Sequence, residues 1–385
     1  MPAIPLRTPL SEALSGARSA LPEASYRGAI TAARFSNPRE EFNSFSQGCA
    51  IYDLGFSAVL LLQGADRTRW LNGMVTNNIR DLPVGQGVYA FLLNAQGRIL
   101  GDMHVYNLGE RLEVVTDRAQ LENIAATFEH FIIMDDVELI NISAEWTTLG
   151  LAGPKARAVI LGAGIELPEL PPLHFSKPKC NCDCGCLSCT VARVEDAPWE
   201  SYEIWLSPKD VYKTWQGLIK AGAAPVGSEA LEMARISAGI PLYGVDIRER
   251  DLPQETEQMR ALNFNKGCYV GQEIVERIRS RGNVHRKFTA FRLGGSPRLA
   301  AGAKVFSVKS QVGEGQAEGK EVGEVTSVAV LPTPSGEQTL ALGYIRREAG
   351  APGREVRIDS WEAAVALAGA VADEPRPAGA GQTAD

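Results

Sequence analysis

Apolar positions recur along the chain at two periods, one of two residues and one near 3.6, and the two kinds of segment are interleaved. Residues 58–62 read as a strand and 67–74 as a short helix. Residues 89–94 and 98–106 read as two strands joined by the turn Asn94-Ala95-Gln96-Gly97. A third strand pattern at 112–116 follows a turn at Gly109, then 120–131 has a helical period and 136–142 a strand pattern. Residues 202–206 predict another strand, and 209–221 and 228–238 predict helices. The second of these has Ser228 as its N-cap, Glu229 in the first turn, and Gly239 with Pro241 as its stop. Hairpins and helices in this order predict an α+β fold with antiparallel sheet, not the strict β-α alternation of a doubly wound sheet.

From residue 287 onward helical patterns nearly vanish. Segments 287–293, 303–308, 320–331 and 338–345 are strand-like and separated by Gly-rich turns, which predicts a small all-β module, read as a barrel. The domain expectation is therefore an N-terminal extension at 1–40, a main domain at 41–286, a barrel at 287–358, and a tail at 359–385. The extension is rich in Ala, Pro, Ser and Arg, with room for one short helix. The tail becomes low-complexity from about 373 and is expected to be disordered.

Composition narrows the function classes. Of 385 residues, 45 % are apolar and 22 % charged, the balance of an ordinary globular protein of two or three domains. A net charge of −7 argues against a general polyanion-binding surface. The longest uninterrupted apolar stretch, 363–372, is mostly Ala and falls well short of the ~20 residues that span a bilayer. The N-terminus has no charged head before an apolar core and carries Glu12 and Glu23, so no secretory or transit peptide is expected and the expected location is the cytoplasm. There is no Gly-x-Ser-x-Gly elbow, P-loop or dinucleotide fingerprint, which sets aside hydrolase, NTPase and dehydrogenase readings.

Five of the seven cysteines fall within ten residues: Cys180, Cys182, Cys184, Cys186 and Cys189. The spacing fits no common zinc finger. On a flat strand the first four sulfurs would share one face with roots about 6.6 Å apart. Tetrahedral zinc needs sulfurs within about 4 Å of one another, so the chain would have to curl. Asn181, Asp183 and Gly185 are suitable turn residues. Two readings stand: thiolates holding a metal ion or iron–sulfur cluster, or a hairpin insertion at about 176–190 with spare thiols.

The segment Lys266-Gly267-Cys268-Tyr269-Val270-Gly271-Gln272-Glu273 is the most informative. A helix is expected from Gly271, with Ile274 and Ile278 on one face and Gly282 as its stop. Cys268 then precedes a helix N-terminus, with Lys266 two residues away, and both features favour a thiolate. Cys268 is thus a candidate nucleophile or metal ligand; the other reading is a half-buried loop cysteine whose glycines permit the turn. The octapeptide resembles the K-G-C-[FY]-x-G-Q-E signature of the YgfZ family, folate-binding relatives of the glycine-cleavage T-protein that support iron–sulfur enzymes. Its lead-in is similar too: Gly239-Ile240-Pro241, Gly244, Asp246, Leu252-Pro253 and Glu255. Ile51-Tyr52-Asp53-Leu54, Leu93 to Gly97 and Ala341-Leu342-Gly343-Tyr344 resemble T-protein-like patterns elsewhere, so the likeness covers roughly 40–358.

The resemblance implies tandem ferredoxin-like subdomains around a central tetrahydrofolate cavity, plus a small C-terminal β-barrel. It puts Cys268 in the central role with Lys266, and Tyr269, Gln272 and Glu273 beside it as loop and folate-contact residues. Tyr202-Glu203-Ile204 is similar to the strand whose carboxylate grips the pterin, and a carboxylate suits the two adjacent N–H donors of that ring. A solvent-facing Glu203 is the alternative. Arg235 matches the family helix that presents an Arg toward the site, against the alternative of a surface salt bridge. T-protein aminomethyl transfer is similar across members in using an acidic pair after the first-domain hairpin; here Leu100-Gly101-Asp102-Met103 leaves only Asp102. Alternation puts Leu100, Asp102, His104 and Tyr106 on one face.

Residues 266–287 carry a local excess of four positive charges, read either as an anion site or as a solvated helix face. No interleaved aromatics accompany it, so no direct nucleic-acid partner is expected. The expected function is a tetrahydrofolate-binding monomer that assists iron–sulfur cluster assembly or repair. Its partners would be iron–sulfur client proteins, with a downstream effect on tRNA-modifying enzymes and no membrane involvement. The alternatives are a tetrahydrofolate-using aminomethyltransferase relying on Asp102, and a non-enzymatic metallochaperone built on the Cys run.

Overall fold

The computed structural model describes residues 6–17, 21–179, 188–195, 198–282, 284–308, 319–333 and 336–368. In chain order, β1 (Leu6–Arg7), α1 (Pro9–Ala17) and the hairpin β2 (Glu23–Tyr26) and β3 (Ala29–Ala32) come first. Then follow α2 (Pro38–Gln47), β4 (Ala50–Asp53), β5 (Ser57–Gln63) and α3 (Arg67–Met74). The hairpin β6 (Gly87–Leu93) and β7 (Ile99–Asn107) leads to β8 (Leu112–Asp117), α4 (Arg118–Phe131) and β9 (Glu138–Asn141). Next are β10 (Thr147–Ala152), α5 (Ala156–Gly162), β11 (Phe175–Ser176), β12 (Cys189–Arg193), β13 (Ser201–Leu206), α6 (Val211–Lys220), β14 (Ala224–Val226) and α7 (Ser228–Ser237). After α8 (Gln272–Arg281) the described residues form strands and one short turn of helix: β15 (Arg286–Gly294), β16 (Lys304–Ser307), β17 (Glu321–Thr333), β18 (Gly336–Arg346), β19 (Glu355–Ile358) and β20 (Trp361–Ala366).

Two larger sheets carry the centre of the molecule, one ordered β11-β12-β13-β10-β4-β14 and the other β6-β7-β8-β5-β9. Each buries an apolar layer under its helices: Leu149, Leu151, Ile204 and Trp215 in the first, and Leu60, Val105, Val114 and Phe128 in the second. The chain therefore has the mixed helix and antiparallel-strand texture that its hydrophobic pattern predicts. The segments expected at 112–116, 120–131, 202–206 and 209–221 match β8, α4, β13 and α6 to within two residues. Ser228 is the first helical residue rather than the cap; Gly227 holds the N-cap position of α7.

Two boundaries differ from expectation. Residues 6–47 are not an appendage, because Leu10 and Leu14 of α1, one helical turn apart, pack into the same core as Trp215 of α6. The barrel closes in the order β15-β18-β17-β16-β19-β20, so residues 361–366, assigned to the tail, form its sealing strand. Ala363 and Val365 face inward there, an alternation that an Ala-rich composition conceals. Among the described residues no helix is long and apolar enough to cross a membrane.

Candidate functional site

A cavity of about 210 Å³ lies where the two large sheets, the β2–β3 turn and α7 meet. Phe45, Tyr52, Phe56, Tyr89 and Trp199 give it aromatic walls, and Arg27, Asp102, His104, Asp117, Glu203 and Arg260 bring charge or titratable groups to it.

Glu203 sits in a row of paired positions that crosses four strands: Tyr52 on β4, Gly150 on β10, Glu203 on β13 and Ala192 on β12. Its cross-strand neighbours Gly150 and Ala192 are both small. A side chain at position 150 would collide with the Tyr52 ring, its Cβ lying 2.1 Å from that ring, so the ring leans across the glycine. Trp205, two residues along and on the same face, donates Nε1–H to Glu203 Oε2 at 3.0 Å. Oε1 has no protein donor among the described residues. Burial raises the Glu203 carboxyl above its ordinary range, while the Trp205 hydrogen bond and the positive charge of Arg27 pull it back.

Asp102 enters from the other sheet. Tyr89 Oη donates to its Oδ2 at 2.7 Å and Gln120 Nε2 to its Oδ1 at 2.7 Å, while the Asp102 N–H donates to Gln120 Oε1 at 2.9 Å. Gly101 points the opposite way, and a Cβ there would sit 3.0 Å from Ile124 of α4. A second carboxylate is nonetheless present: Asp117, at the end of β8, lines the same cavity. Arg27 Nε donates to Asp117 Oδ2 at 2.7 Å. Burial raises the Asp117 carboxyl, Arg27 opposes this, and the charge of Asp102 adds to the rise. Sequence reading missed Asp117 because an Asp at a strand-to-helix junction reads as a cap, yet its side chain makes no capping hydrogen bond. His104, expected on the Asp102 face, does line the cavity, with its ring 5.1 Å from that of Tyr89 and 6.3 Å from that of Tyr106. Burial, with Arg260 and Arg27 nearby, pushes its pKa down to about 3, so its imidazole is neutral.

Arg235 reaches the cavity wall but has no donor left for a ligand. Its Nε and Nη2 bond Glu232, Nη1 bonds Ile240 O and Asp246 Oδ2, and Nη2 also bonds Ser327 Oγ. All five N–H groups of the guanidinium are thereby engaged. The side chain expected to meet folate instead ties α7, the loop carrying Ile240-Pro241 and the barrel together.

The octapeptide 266–273 contributes nothing to the cavity lining. Cys268 is exposed. Helix α8 begins where expected, with Gly271 as its N-cap, but the Lys266 ammonium expected beside the thiol points inward. Lys266 Nζ donates to the carbonyls of Asn72 and Val75 at the C-terminal end of α3 and lies 4.8 Å from the centre of the Tyr269 ring. Burial lowers its pKa to about 7. Tyr269 is buried in an apolar cluster with Phe91 and Leu93, Gln272 is half-buried and Glu273 is exposed. The loop is pinned to the β6–β7 turn by Gly271, which has φ +81° and lies so close that a Cβ would stand 2.5 Å from Asn94 O. Cys268 and the loop that carries it thus lie outside the lining of this cavity.

Residues 22–266 match the family described as the GCVT N-terminal domain. The chain belongs to this family. It is 27 % identical over 331 residues to an aminomethyltransferase of Halothermothrix orenii, covering 83 % of this chain and 86 % of the relative. It is 29 % identical over 318 residues to an aminomethyltransferase of Rubrobacter xylanophilus, covering 82 % and 81 %. The solved structure of glycine cleavage system aminomethyltransferase T from Bartonella henselae aligns with a TM-score of 0.79 at 21 % identity, over 93 % of this chain and 95 % of that one. The fold is therefore aminomethyltransferase-like, with mixed α/β content and a closed six-stranded C-terminal barrel.

Within this GCVT-family frame, the basic run after the octapeptide divides. Arg286 is taken up by Asp251 at 2.5 Å and Glu255 at 3.1 Å, and Arg279 pairs with Glu276 at 3.5 Å. Cys180, Cys182, Cys184 and Cys186 lie outside the described residues. Cys189, the fifth member of the expected metal set, is a core residue of β12, packed with Val191 and Leu206. No group of three or more His, Cys, Asp or Glu side chains able to hold a metal ion occurs among the described residues.

Proposed function

We propose that the cavity binds tetrahydrofolate and that the protein handles a one-carbon unit on it, as an aminomethyltransferase does. Glu203 carries this reading. Its carboxylate faces an aromatic-walled cavity with one oxygen lacking a protein donor among the described residues. The pterin ring presents two adjacent N–H groups, and a carboxylate accepts both. The residues present fit that group: flat rings for stacking, among them Tyr52 lying over Gly150, and an acceptor with spare capacity. Tetrahydrofolate would supply the nitrogens that accept the one-carbon unit. Asp102 is held as an acceptor by two donors, so it is the group to take a proton or stabilise positive charge beside the ring. We read the two large sheets as the paired ferredoxin-like subdomains of this family, with residues 286–366 as the barrel.

Calorimetric titration with tetrahydrofolate tests the reading. Glu203→Gln replaces one acceptor by a donor, and a hydrogen bond to a charged group contributes about 1.5–3 kcal/mol. Affinity should fall by roughly tenfold to a hundredfold. Equal binding by both proteins would sink the assignment. Transfer from an aminomethylated lipoyl carrier to tetrahydrofolate then reports activity, and Asp102→Asn should abolish it.

A second reading, support of iron–sulfur enzymes in the YgfZ manner, is favoured by the exposed Cys268 in its signature loop. An exposed thiol outside the cavity is free to meet a client protein, including tRNA-modifying enzymes. Complementation of a null strain decides: Cys268→Ser should bind folate and fail to complement, whereas full complementation dismisses this reading.

A further inference from the structure

Arg27 stands at the first central position of the two-residue turn between β2 and β3, with φ +50° at Arg27 and +90° at Gly28. Two successive positive φ values make a hairpin turn that favours Asn or Gly, and an Arg there carries a backbone cost. Such an outlier at a cavity wall points to a role for the side chain. The guanidinium is fixed on two sides, by the Nε hydrogen bond to Asp117 at 2.7 Å and by the Phe56 ring, whose centre is 4.7 Å from Cζ. Its terminal nitrogens, Nη1 and Nη2, have no protein partner among the described residues, and the residue lines the cavity.

A rigid, charged fork with free donors thus shares the cavity with a carboxylate that has a free acceptor. The 2-amino-4-oxo edge of a pterin reads donor, donor, acceptor: the 2-amino group, N3–H and O4. Glu203 accounts for the first two. We propose that Arg27 donates to O4, completing recognition of that edge and selecting 4-oxo over 4-amino pteridines. This rests on the folate reading above and goes beyond it by naming a specificity residue. A 4-amino group in the same place would turn a donor toward the Arg27 donors, and a site built to pair a polar atom rejects the ligand that cannot pair.

Folic acid and aminopterin differ at position 4 in this way, and also at N3, which carries a hydrogen for Glu203 only in folic acid, so Arg27 sets the part of the preference that arises at position 4. Tryptophan-fluorescence titration with both ligands should show the wild type preferring folic acid by about tenfold or more. Arg27→Met should weaken folic acid binding by about tenfold while changing aminopterin binding less than about threefold, so that the part of the preference set at position 4 disappears. Arg27→Met also leaves Asp117 buried without its cation, so Arg27→Met/Asp117→Asn is measured beside it, with melting curves to confirm folding. The folded double variant should lose the preference equally. Equal affinity of the wild type for both ligands would overturn the role of Arg27 and leave the folate reading standing. Equal losses for both ligands in the folded variants would overturn it as well. A wild type that binds neither ligand would remove the folate reading and this proposal together.

Discussion

Replacing Arg235 by Met asks whether this side chain holds the fold or grips a ligand. The guanidinium is 6 % exposed, and Asp246, one of its partners, is fully buried. Removing one member of a buried ion pair costs about 3–5 kcal/mol, because the remaining charge is left uncompensated. Asp246 would not be left bare. It would still accept from Leu242 N at 3.0 Å, from Ser327 Oγ at 2.7 Å and from the Thr326 hydroxyl. Three surviving donors place the expected loss at the low end, about 3 kcal/mol. Urea unfolding followed by tryptophan fluorescence measures this loss, and folate titration of the same variant measures the alternative. Adding Asp246→Asn should recover part of the loss, giving a double variant less destabilised than the sum of the singles. A stability change under about 1 kcal/mol, together with a tenfold fall in folate affinity, would refute the latch and restore Arg235 as a ligand contact.

Lys266 should make stability depend on pH in a defined window. Its folded pKa is lowered to about 7 from an ordinary 10.5, so between these values the unfolded chain binds a proton that the folded chain lacks. Stability should therefore rise with pH across that window, by at most about 1.4 kcal/mol per unit, and Lys266→Met should remove this rise in urea midpoints measured from pH 6 to 10. Gly271→Ala puts a Cβ at 2.5 Å from Asn94 O in a left-handed backbone, and should cost on the order of 1–3 kcal/mol. Hydrogen exchange should then speed up in both the β6–β7 turn and the signature loop, and unchanged protection in either would count against their coupling. His104 should stay neutral from pH 5 to 8, so its imidazole resonances should not titrate; a midpoint near 6.5 would show that the cavity is wetter than its walls imply.

The elements were legible where one face of a strand or helix is apolar and the other is not. Residues 98–106 carry that alternation in large side chains, and the fold follows it, while 338–345 is a mostly apolar run whose residues from Thr339 to Ile345 are buried on both faces. β20 carries it in Ala363 and Val365 within an Ala-rich stretch, and α1 in only two leucines, Leu10 and Leu14, so the contrast between faces is small. Glu203 and Asp102 were singled out by the family resemblance, and their strands bring both to the cavity wall. Arg27, Asp117 and Arg260 were not legible, since each reaches the cavity from a turn or strand end whose neighbours in space lie far away in sequence. Lys266 and Arg235 misled for the converse reason. Lys266 was read as acting on Cys268, its neighbour in sequence, and Arg235 was placed at the site by the resemblance, whereas burial drives such cations toward the nearest carbonyls and carboxylates.

The β6–β7 hairpin separates two kinds of chemistry. Asp102 and Tyr89 face the cavity from its body, while the signature loop is pinned to its turn through Gly97 and Gly271. Gly97 and Asp102 are five residues apart, roughly 16 Å of extended chain, so a pterin ring held at Glu203 and Asp102 is remote from the loop that carries Cys268. The hairpin is rigid, with both strands buried in the sheet core, and that distance does not close by small motions. Cys268 is exposed and outside the cavity lining, so its thiol is open to a molecule approaching from solvent. Binding and thiol chemistry would be coupled, if at all, through movement of the loop against the turn, and Gly271 is the joint where such a coupling has to pass.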